Sequence, residues 1–204
     1  MKKSYILVLL IAVAACASFY FFADTDKSEA GMYRKCMGEE YPQQVQACIQ
    51  EAEAASAAAC TDVGNMWMDL AEQHTVFKGK SEQFQMECYQ IAIKWLEKGV
   101  ALGDGGAAYS LACFYSEANV SGVDLLMDSP EKEEHYNQLA FQHLSEEYAT
   151  KATEMPLRKL SLLMSCYKRG YGTEKNEAKA QELYKQYAEA SRAQKIEAAP
   201  YEAY

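Results

Sequence analysis

The chain has few of the residues and none of the motifs that usually build sheets, metal centres and phosphate sites. It contains only four prolines and three histidines, and no long run of alternating β-branched residues indicates a strand. The absence of any C-x-x-C motif removes support for a thioredoxin-like redox pair or a zinc knuckle. No G-x-S-x-G, phosphate-loop or dinucleotide fingerprint is present. We therefore expect no cofactor and no metal.

Positive charge is also in short supply. Lys and Arg number 20 against 29 Asp and Glu, which gives a formal net charge of −9. A chain this acidic repels phosphate backbones, so we expect no nucleic-acid partner. The abundance of Ala, Glu, Gln, Leu and Lys favours helix. A length of 204 residues suits one all-α domain or a short array of helical repeats.

The N-terminus has the pattern of an export signal. A short basic segment, Met1 to Lys3, precedes the apolar run "YILVLLIAVAA". "VAAC" resembles a bacterial lipobox, in which Cys16 would be lipidated. In the alternative interpretation, residues 5–23 form one membrane-spanning helix with aromatic residues at its outer end. Either way residues 24–204 face the periplasm, tethered to the bacterial cell envelope as a lipoprotein or by a single-pass inner-membrane anchor.

The remaining cysteines suggest disulfides. With Cys16 set aside, six of the seven remain, and an even number in an exported chain indicates disulfides before metal. The first two pairs would flank the turns of helical hairpins, one at Pro42 and one at "HTVFKGKS". The two remaining cysteines form the third pair, which would join successive units. The expected pairs, among fifteen possible pairings, are Cys36–Cys48, Cys60–Cys88 and Cys113–Cys166.

Helical patterns follow one another along most of the chain. After the leader at 1–23, "DTDKSEA" at 24–30 is a short polar tether, and the tail at 192–204 is expected to fray. Between them, "CTDVGNMWMDLAEQ" has apolar residues at i, i+3, i+4 and i+7. "DSPEKEEH" is typical of a capped helix start with proline in the first turn. We therefore predict one helical domain over 31–191.

The domain contains an internal repeat. "VGNMW", "LACFY" and "LMSCY" share a pattern whose final aromatic residues lie 48 and 52 residues apart. The helices that follow also align, with Ala92, Ala140 and Ala180 in equivalent places. This periodicity predicts about three and a half helix–turn–helix units. Their boundaries are 31–55 for a partial unit, then 56–103, 104–152 and 156–191.

The last unit carries a family resemblance. Gly170-Tyr171-Gly172, Lys175-Asn176, Lys179-Ala180 and Leu183-Tyr184 together resemble the Sel-one-like repeat, a relative of the tetratricopeptide repeat. The middle unit lacks the G-x-G and the first has a longer turn, so the resemblance covers about two thirds of the chain. It implies antiparallel helix pairs stacked into an α/α solenoid.

Repeat packing assigns roles to particular residues. Small residues are needed where two helix axes approach closely, aromatic residues fill the space between units, and turn glycines permit positive φ. The residues expected in these roles are Gly64, Trp67, Ala92, Trp95, Ala108, Leu111, Ala112, Tyr115, Ala140, Tyr167, Gly170, Gly172, Ala180 and Tyr184.

Two patterns suggest chemistry, and each has a simpler interpretation. "SPEK" places Ser129 and Lys132 in the S-x-x-K arrangement of penicillin-recognising enzymes, but neither S-D-N nor K-T-G follows it. Asp-Ser-Pro-Glu is also an ordinary helix start, which we favour. His135 and His143 share a helical face but lie two turns apart, too far to ligate one metal without help.

The sequence therefore predicts a non-enzymatic protein–protein interaction module or adaptor. Its partner would be a protein or peptide segment of the cell envelope, held in a concave groove between the first helices of the units. A cell-wall or β-lactam hydrolase that uses Ser129 and Lys132 is one alternative. An immunity protein against a periplasmic toxin is another.

Overall fold

The structure, a computed structural model, describes residues 43–76, 82–116, 129–198 and 200–201. The predicted leader, Cys16, the tether, Cys36 and most of the partial first unit lie outside these residues. The predicted all-α class is confirmed, since the described residues form helices and no strand. The helices are α1 Gln43–Glu53, α2 Ala57–Val76, α3 Glu82–Ala101, α4 Gly105–Tyr115, α5 Pro130–Lys151, α6 Leu157–Arg169 and α7 Glu177–Ala193. The chain divides into two compact units, 1–46 and 47–204, and helices α2 to α7 all belong to the second.

The helices pack as sequential pairs. Helix α2 packs on α3, α4 on α5, and α6 on α7, while α2 also contacts α4 and α4 contacts α6. The second helix of one pair touches the first helix of the next, as α3 touches α4 and α5 touches α6. The first helices of the three pairs are thus neighbours, and together they form one continuous surface.

Side-chain caps help to determine where the helices begin. The Asp104 carboxylate accepts hydrogen bonds from the amides of Gly106 and Ala107 at 2.7 and 3.3 Å. The Asn176 side chain accepts one from Lys179 N at 3.0 Å. Each acceptor satisfies an amide that the first turn of a helix leaves without an internal partner. These polar residues before α4 and α7 therefore start the helices.

The first pair is built around large buried side chains. Trp67 is inaccessible to solvent, as are Ala92 and Leu96 on the facing helix. Gly64 brings the two axes close, because a Cβ at this position would lie 2.5 Å from Leu96 Cγ. The small residues of this pair therefore allow its large ones to interlock.

The other residues to which repeat packing assigned a role lie mostly in the interior. Tyr167 and Tyr184 are half-buried, and the Tyr167 ring meets Phe141 of the preceding pair edge-on at 5.3 Å. A contact of this kind joins neighbouring pairs. The fully buried members are Trp95, Ala108, Leu111, Ala112, Tyr115, Ala140 and Ala180.

The turn between α6 and α7 depends on two glycines in the left-handed region. Gly170, at φ 84°, ends α6, and its amide donates to the Cys166 carbonyl at 2.8 Å. Gly172 has φ 64°, and a Cβ there would overlap the carbonyl oxygen of Asn137 on α5. Gly172 therefore serves both the turn and the close contact with the preceding pair.

The tail docks at Tyr201, although the sequence predicts that it frays. Lys168 Nζ donates to the Tyr201 carbonyl at 2.7 Å and lies 4.1 Å from the centroid of its ring. The Tyr201 hydroxyl donates to Glu177 at 2.8 Å, and its ring meets Tyr184 at 5.3 Å. These contacts hold the ring, the hydroxyl and the carbonyl of Tyr201, and an expectation of fraying that is based on composition does not take them into account.

Candidate functional site: a groove along three first helices

A groove runs along the first helices of the three pairs, with α4 as its floor. Helices α2 and α6 wall its first cavity, and α5 and the end of α6 wall its second. It contains two adjoining cavities of about 400 and 360 Å³, both lined by Tyr109 and Cys113. Each volume lies in the range typical of ligand-binding clefts. We refer to this surface as the groove. Its lining consists of Asn65, Met68, Asp69, Glu72, Tyr109, Ser110, Ala112, Cys113, Phe114, Ser116, Glu133, Asn137, Arg158, Leu162, Arg169 and Tyr171.

The floor is partly apolar and well supported. Phe114 is 4 % exposed, and its ring packs against Tyr89 and Tyr115 with centroids 5.1 Å away in each case. Met68 and Leu162 are half-buried beside it. Phe114 is therefore held by the core, and the apolar surface open to an occupant comes mainly from Met68 and Leu162.

Tyr109 and Cys113 form the centre of the groove, one turn apart on α4. The Tyr109 ring meets that of Tyr171 edge-on with centroids 6.2 Å apart. Burial raises the pKa of Tyr109 well above its ordinary value, and the nearby Cys113 and Tyr171 add to this effect. Groove side chains also desolvate the Cys113 thiol and raise its pKa. Both groups are therefore neutral at physiological pH, and Cys113 is not an activated nucleophile.

The α2 wall carries negative charge and an amide without a partner. Asp69 and Glu72 are one turn apart, and loss of solvent together with the Asp69 charge raises the pKa of Glu72. Asn65, one turn before Asp69, lines the same cavity, and its Nδ2 is buried with no hydrogen-bond partner. This wall thus carries two carboxylates and, one turn away, a buried amide donor that lacks a hydrogen-bond acceptor.

The α6 wall carries positive charge. Arg158 Nη1 lies 3.9 Å from Asp62 Oδ1, and both side chains are more than half exposed, so the pair stabilises the fold little. Arg169 lies near the other end and opposes the upward pKa shift of Tyr109 by its charge. The first cavity therefore has carboxylates on its α2 wall and the Arg158 guanidinium on its α6 wall, while Arg169 shares the second cavity with Glu133 of α5.

The sequence did not identify most of these residues. Among the residues assigned to repeat packing, only Ala112 lines the groove. The lining residues nevertheless leave a signal, because Asn65, Asp69 and Glu72 recur at i, i+4 and i+7 on α2. Tyr109 and Cys113 show the i, i+4 spacing on α4. Such a polar face beside the buried stripe of each first helix is the pattern that would have located the groove.

The S-x-x-K motif has the geometry of a helix cap. Ser129 Oγ accepts a hydrogen bond from the backbone amide of Lys132 at 3.4 Å, with Pro130 in the first turn. The Lys132 ammonium instead lies 4.5 Å from the Tyr115 ring centroid and 3.4 Å from its hydroxyl. The side-chain contacts given by Lys132 are thus with Tyr115, and Ser129 Oγ contacts the Lys132 main chain as a helix cap.

His135 and His143 have separate neighbours on α5. His143 Nδ1 lies 4.0 Å from Glu146, and the His135 ring packs edge-on against Tyr136 at 5.2 Å. In the described ranges, no three His, Cys, Asp or Glu side chains are placed to hold one metal ion.

The described cysteines are present as thiols, so the predicted pairs are not confirmed. Cys60 Sγ donates to the Ala52 carbonyl at 3.5 Å, and Cys88 is a buried thiol. Cys113 and Cys166 are thiols as well. Burial raises the pKa of Cys166 to about 12, and the neighbouring Cys113 charge contributes. The partner predicted for Cys48, Cys36, is outside the described residues.

No helix in the part of the chain that the structure describes is both long and apolar enough to cross a membrane. Comparisons with protein-family models, with curated proteins and with solved structures gave no significant match to this chain.

Proposed function

We propose that the chain is a protein–protein interaction module built as a stack of Sel-one-like helix pairs. Two features support the stacking. The first helices of consecutive pairs contact one another, and Tyr167 packs on Phe141 across two pairs. A stack of this kind buries faces that a single hairpin leaves exposed, and it lines its first helices along one surface.

The groove is the observation that carries the binding function. It is lined by α2, α4, α5 and α6, combines an apolar floor with polar walls, and has Tyr109 at its centre, with the Tyr171 ring beside it. Tyrosine is enriched where proteins bind one another, because its ring is large and rigid and its hydroxyl is polar. An extended polypeptide segment that lies across α2, α4 and α6 is the occupant that fits this surface.

Site-specific photocrosslinking in living cells tests this function. A benzophenone amino acid replaces Ser110, which lines the groove, or Lys185, which is exposed on α7 outside the lining. We expect a discrete protein adduct from position 110 and none of the same size from position 185. Identical adducts at both positions, or no adduct at position 110, would contradict the proposal.

We also propose that the module is exposed in the bacterial cell envelope, on the strength of the N-terminal sequence alone. Mass spectrometry of the N-terminal peptide distinguishes lipidation of Cys16 from an uncleaved anchor. A lipoprotein would begin at Cys16 and carry the mass of its acyl chains, whereas an uncleaved anchor would retain residues 1–15 without added lipid.

A further inference from the structure

Asn137 is a buried polar residue without a hydrogen-bond partner for its side chain, and it lines the second cavity of the groove. The residue lies on α5 and is 7 % exposed. Its carboxamide makes no hydrogen bond within the part of the chain that the structure describes. Neither the oxygen nor the nitrogen of this group is fully occluded, so both atoms open into the cavity of about 360 Å³. A buried amide in this state lacks protein partners that an occupant of the cavity would supply.

The carboxamide determines which kind of occupant would supply these partners. It presents a hydrogen-bond donor and an acceptor side by side. One residue of an extended main chain points its N–H and its C=O to the same side, so both groups can bond to a single carboxamide. A simple cation or anion would use only one of the two atoms. The group therefore matches a peptide main chain.

The charged groups of the second cavity also favour a neutral occupant. Glu133 lies one turn before Asn137 on α5, and Arg169 is the last residue of α6. Because the cavity carries one charge of each sign, an ion of either sign would meet a like charge as well as an opposite one. A peptide group is neutral but dipolar. It can turn its carbonyl oxygen toward the guanidinium and its N–H toward the carboxylate.

The position of the second cavity brings a segment in the groove to Asn137. Tyr109 and Cys113 line both cavities, so a chain that leaves the first cavity enters the second. The rings of Tyr109 and Tyr171 meet edge-on in the second cavity, with centroids 6.2 Å apart. Their large and rigid surfaces are of the kind on which protein segments pack.

We propose that Asn137 binds one residue of an extended protein segment through its main chain, donating to the carbonyl oxygen and accepting from the N–H. This inference rests on the proposed binding function and identifies a group that recognises the segment independently of its side chains. Within the described ranges the carboxamide has no hydrogen bond to lose. Its replacement should therefore weaken binding without weakening the fold.

Backbone methylation of a selected peptide tests this assignment on the full chain in detergent. The probe is the tightest binder from a random library of short linear peptides, labelled for fluorescence polarisation. Each peptide nitrogen is methylated in turn, which removes one N–H donor. We expect one methylated position to weaken binding to the parent chain roughly tenfold. The same methylation should have little further effect on Asn137→Leu, because the acceptor is already absent.

Two substitutions of Asn137 separate binding from folding. Asn137→Leu keeps the branched shape of the side chain, and it should weaken the unmodified peptide roughly tenfold without lowering the midpoint of thermal unfolding. Asn137→Ala, which cannot clash with the cavity wall, should weaken the peptide to a similar extent. The matched control is Gln138→Leu, which removes a carboxamide from the exposed neighbouring position outside the lining and should leave the affinity unchanged.

Several results would overturn the assignment. Unchanged affinity in both Asn137 variants would do so, as would a methylation effect of the same size in the parent and in the variants. Free glycine carries both charges but has no peptide group, so displacement of the probe by glycine would assign the cavity to small zwitterions instead. The proposed function would stand in each case if position 110 still gives its specific crosslink.

The crosslink also serves as the readout if the library yields no binder. The yield of the adduct from position 110 should then fall several-fold in Asn137→Leu and stay the same in Gln138→Leu. Equal yields in the two variants would overturn the assignment of Asn137. Absence of the adduct from the parent chain, together with the absence of a selected peptide, would overturn the proposed function as well.

Discussion

Lys159 Nζ lies 3.4 Å from Oδ2 of Asp104, a carboxylate that is only 2 % exposed. The lysine also donates to Glu147 at 2.9 Å. Asp104 caps α4, Glu147 belongs to α5 and Lys159 to α6, so one ammonium group joins two consecutive helix pairs. Burial alone would lower the pKa of Lys159, but its bonds to Glu147 and Asp104 raise it above the ordinary value. The contribution of Lys159 to the stability of the fold is thus fully present below a pH near 10.5. It is lost as the pH rises through the raised pKa.

Replacing this lysine should destabilise the protein. Lys159→Met leaves the Asp104 carboxylate buried without its cation, and we expect a loss of about 2 to 4 kcal/mol in the free energy of unfolding. Urea denaturation followed by circular dichroism measures the change. Lys185→Met, at an exposed position on α7, is the matched control and should change stability by less than about 0.5 kcal/mol. Equal effects of the two substitutions would contradict the role of the Asp104 contact.

Substitutions at two glycines should distinguish the cost of backbone strain from the cost of a steric clash. Gly103 and Gly172 both have positive φ, but a Cβ at Gly103 would meet nothing within 4 Å, whereas one at Gly172 would overlap the Asn137 carbonyl. Gly103→Ala should therefore cost about 1 kcal/mol from backbone strain alone. Gly172→Ala should cost about 3 kcal/mol, since the turn must also move away from α5. Thermal unfolding distinguishes the two, and similar midpoints would show that Gly172 is not a close-approach position.

The acidic wall should reduce stability at neutral pH. Because the folded state raises the pKa of Glu72 above 4.5, it holds the proton more tightly than the unfolded chain does. The ionised carboxylate therefore opposes folding at pH 7, and this cost disappears as the pH falls through the raised pKa toward 4. Glu72→Gln should increase stability at pH 7 by a few tenths of a kcal/mol, after allowance for solvent screening. The gain should vanish at pH 4 in parallel urea melts, and a gain of the same size at both pH values would contradict an origin in the ionised carboxylate.

The cysteine pair that the sequence assigns to adjoining units can be tested by oxidation. Cys113 lies in the groove and Cys166 is buried, and the charge of the first affects the pKa of the second. We expect a mild thiol oxidant, which accepts two electrons while two protons are released, to join Cys113 to Cys166 before any other described pair. Peptide mapping without reduction identifies the bond. Formation of Cys60–Cys88 with Cys113 still alkylatable would contradict this order.

Ser129 should behave as a helix cap in stability and in labelling. Ser129→Ala should cost about 1 kcal/mol, the same order as Asn176→Ala at the start of α7. Neither the parent chain nor the variant should be labelled covalently by a fluorescent penicillin. Labelling of the parent that Ser129→Ala removes would instead support the hydrolase alternative.

The sequence predicted the helix ends that local signals determine. The combination of Ser129 and Pro130 predicted the start of α5, and Gly170 predicted the end of α6, because caps and left-handed turns depend on neighbouring residues. The tertiary partners were not predictable in this way. Lys159 and Asp104 are 55 positions apart in the sequence, and nothing in the spacing links them.

The sequence predicted the general location of the groove, between the first helices of the units, but not the residues that line it. Asn65, Tyr109 and Arg158 come from three helices, and each is an ordinary polar or aromatic residue in its own segment. Their common role depends on the lateral packing of α2, α4 and α6, which one sequence does not specify residue by residue. The contacts of Tyr201 were not predictable for the same reason, since its partners lie on helices that precede it.

Docking of Tyr201 limits how the helical array can be lengthened by design. The residue occupies the surface that Lys168, Glu177 and Tyr184 provide at the last helix pair, through a main-chain carbonyl, a hydroxyl and a ring. Any helix grafted onto that surface would first have to displace all three contacts. An extended version of this protein should therefore replace residues 196–201 with the new helix rather than append the helix after them.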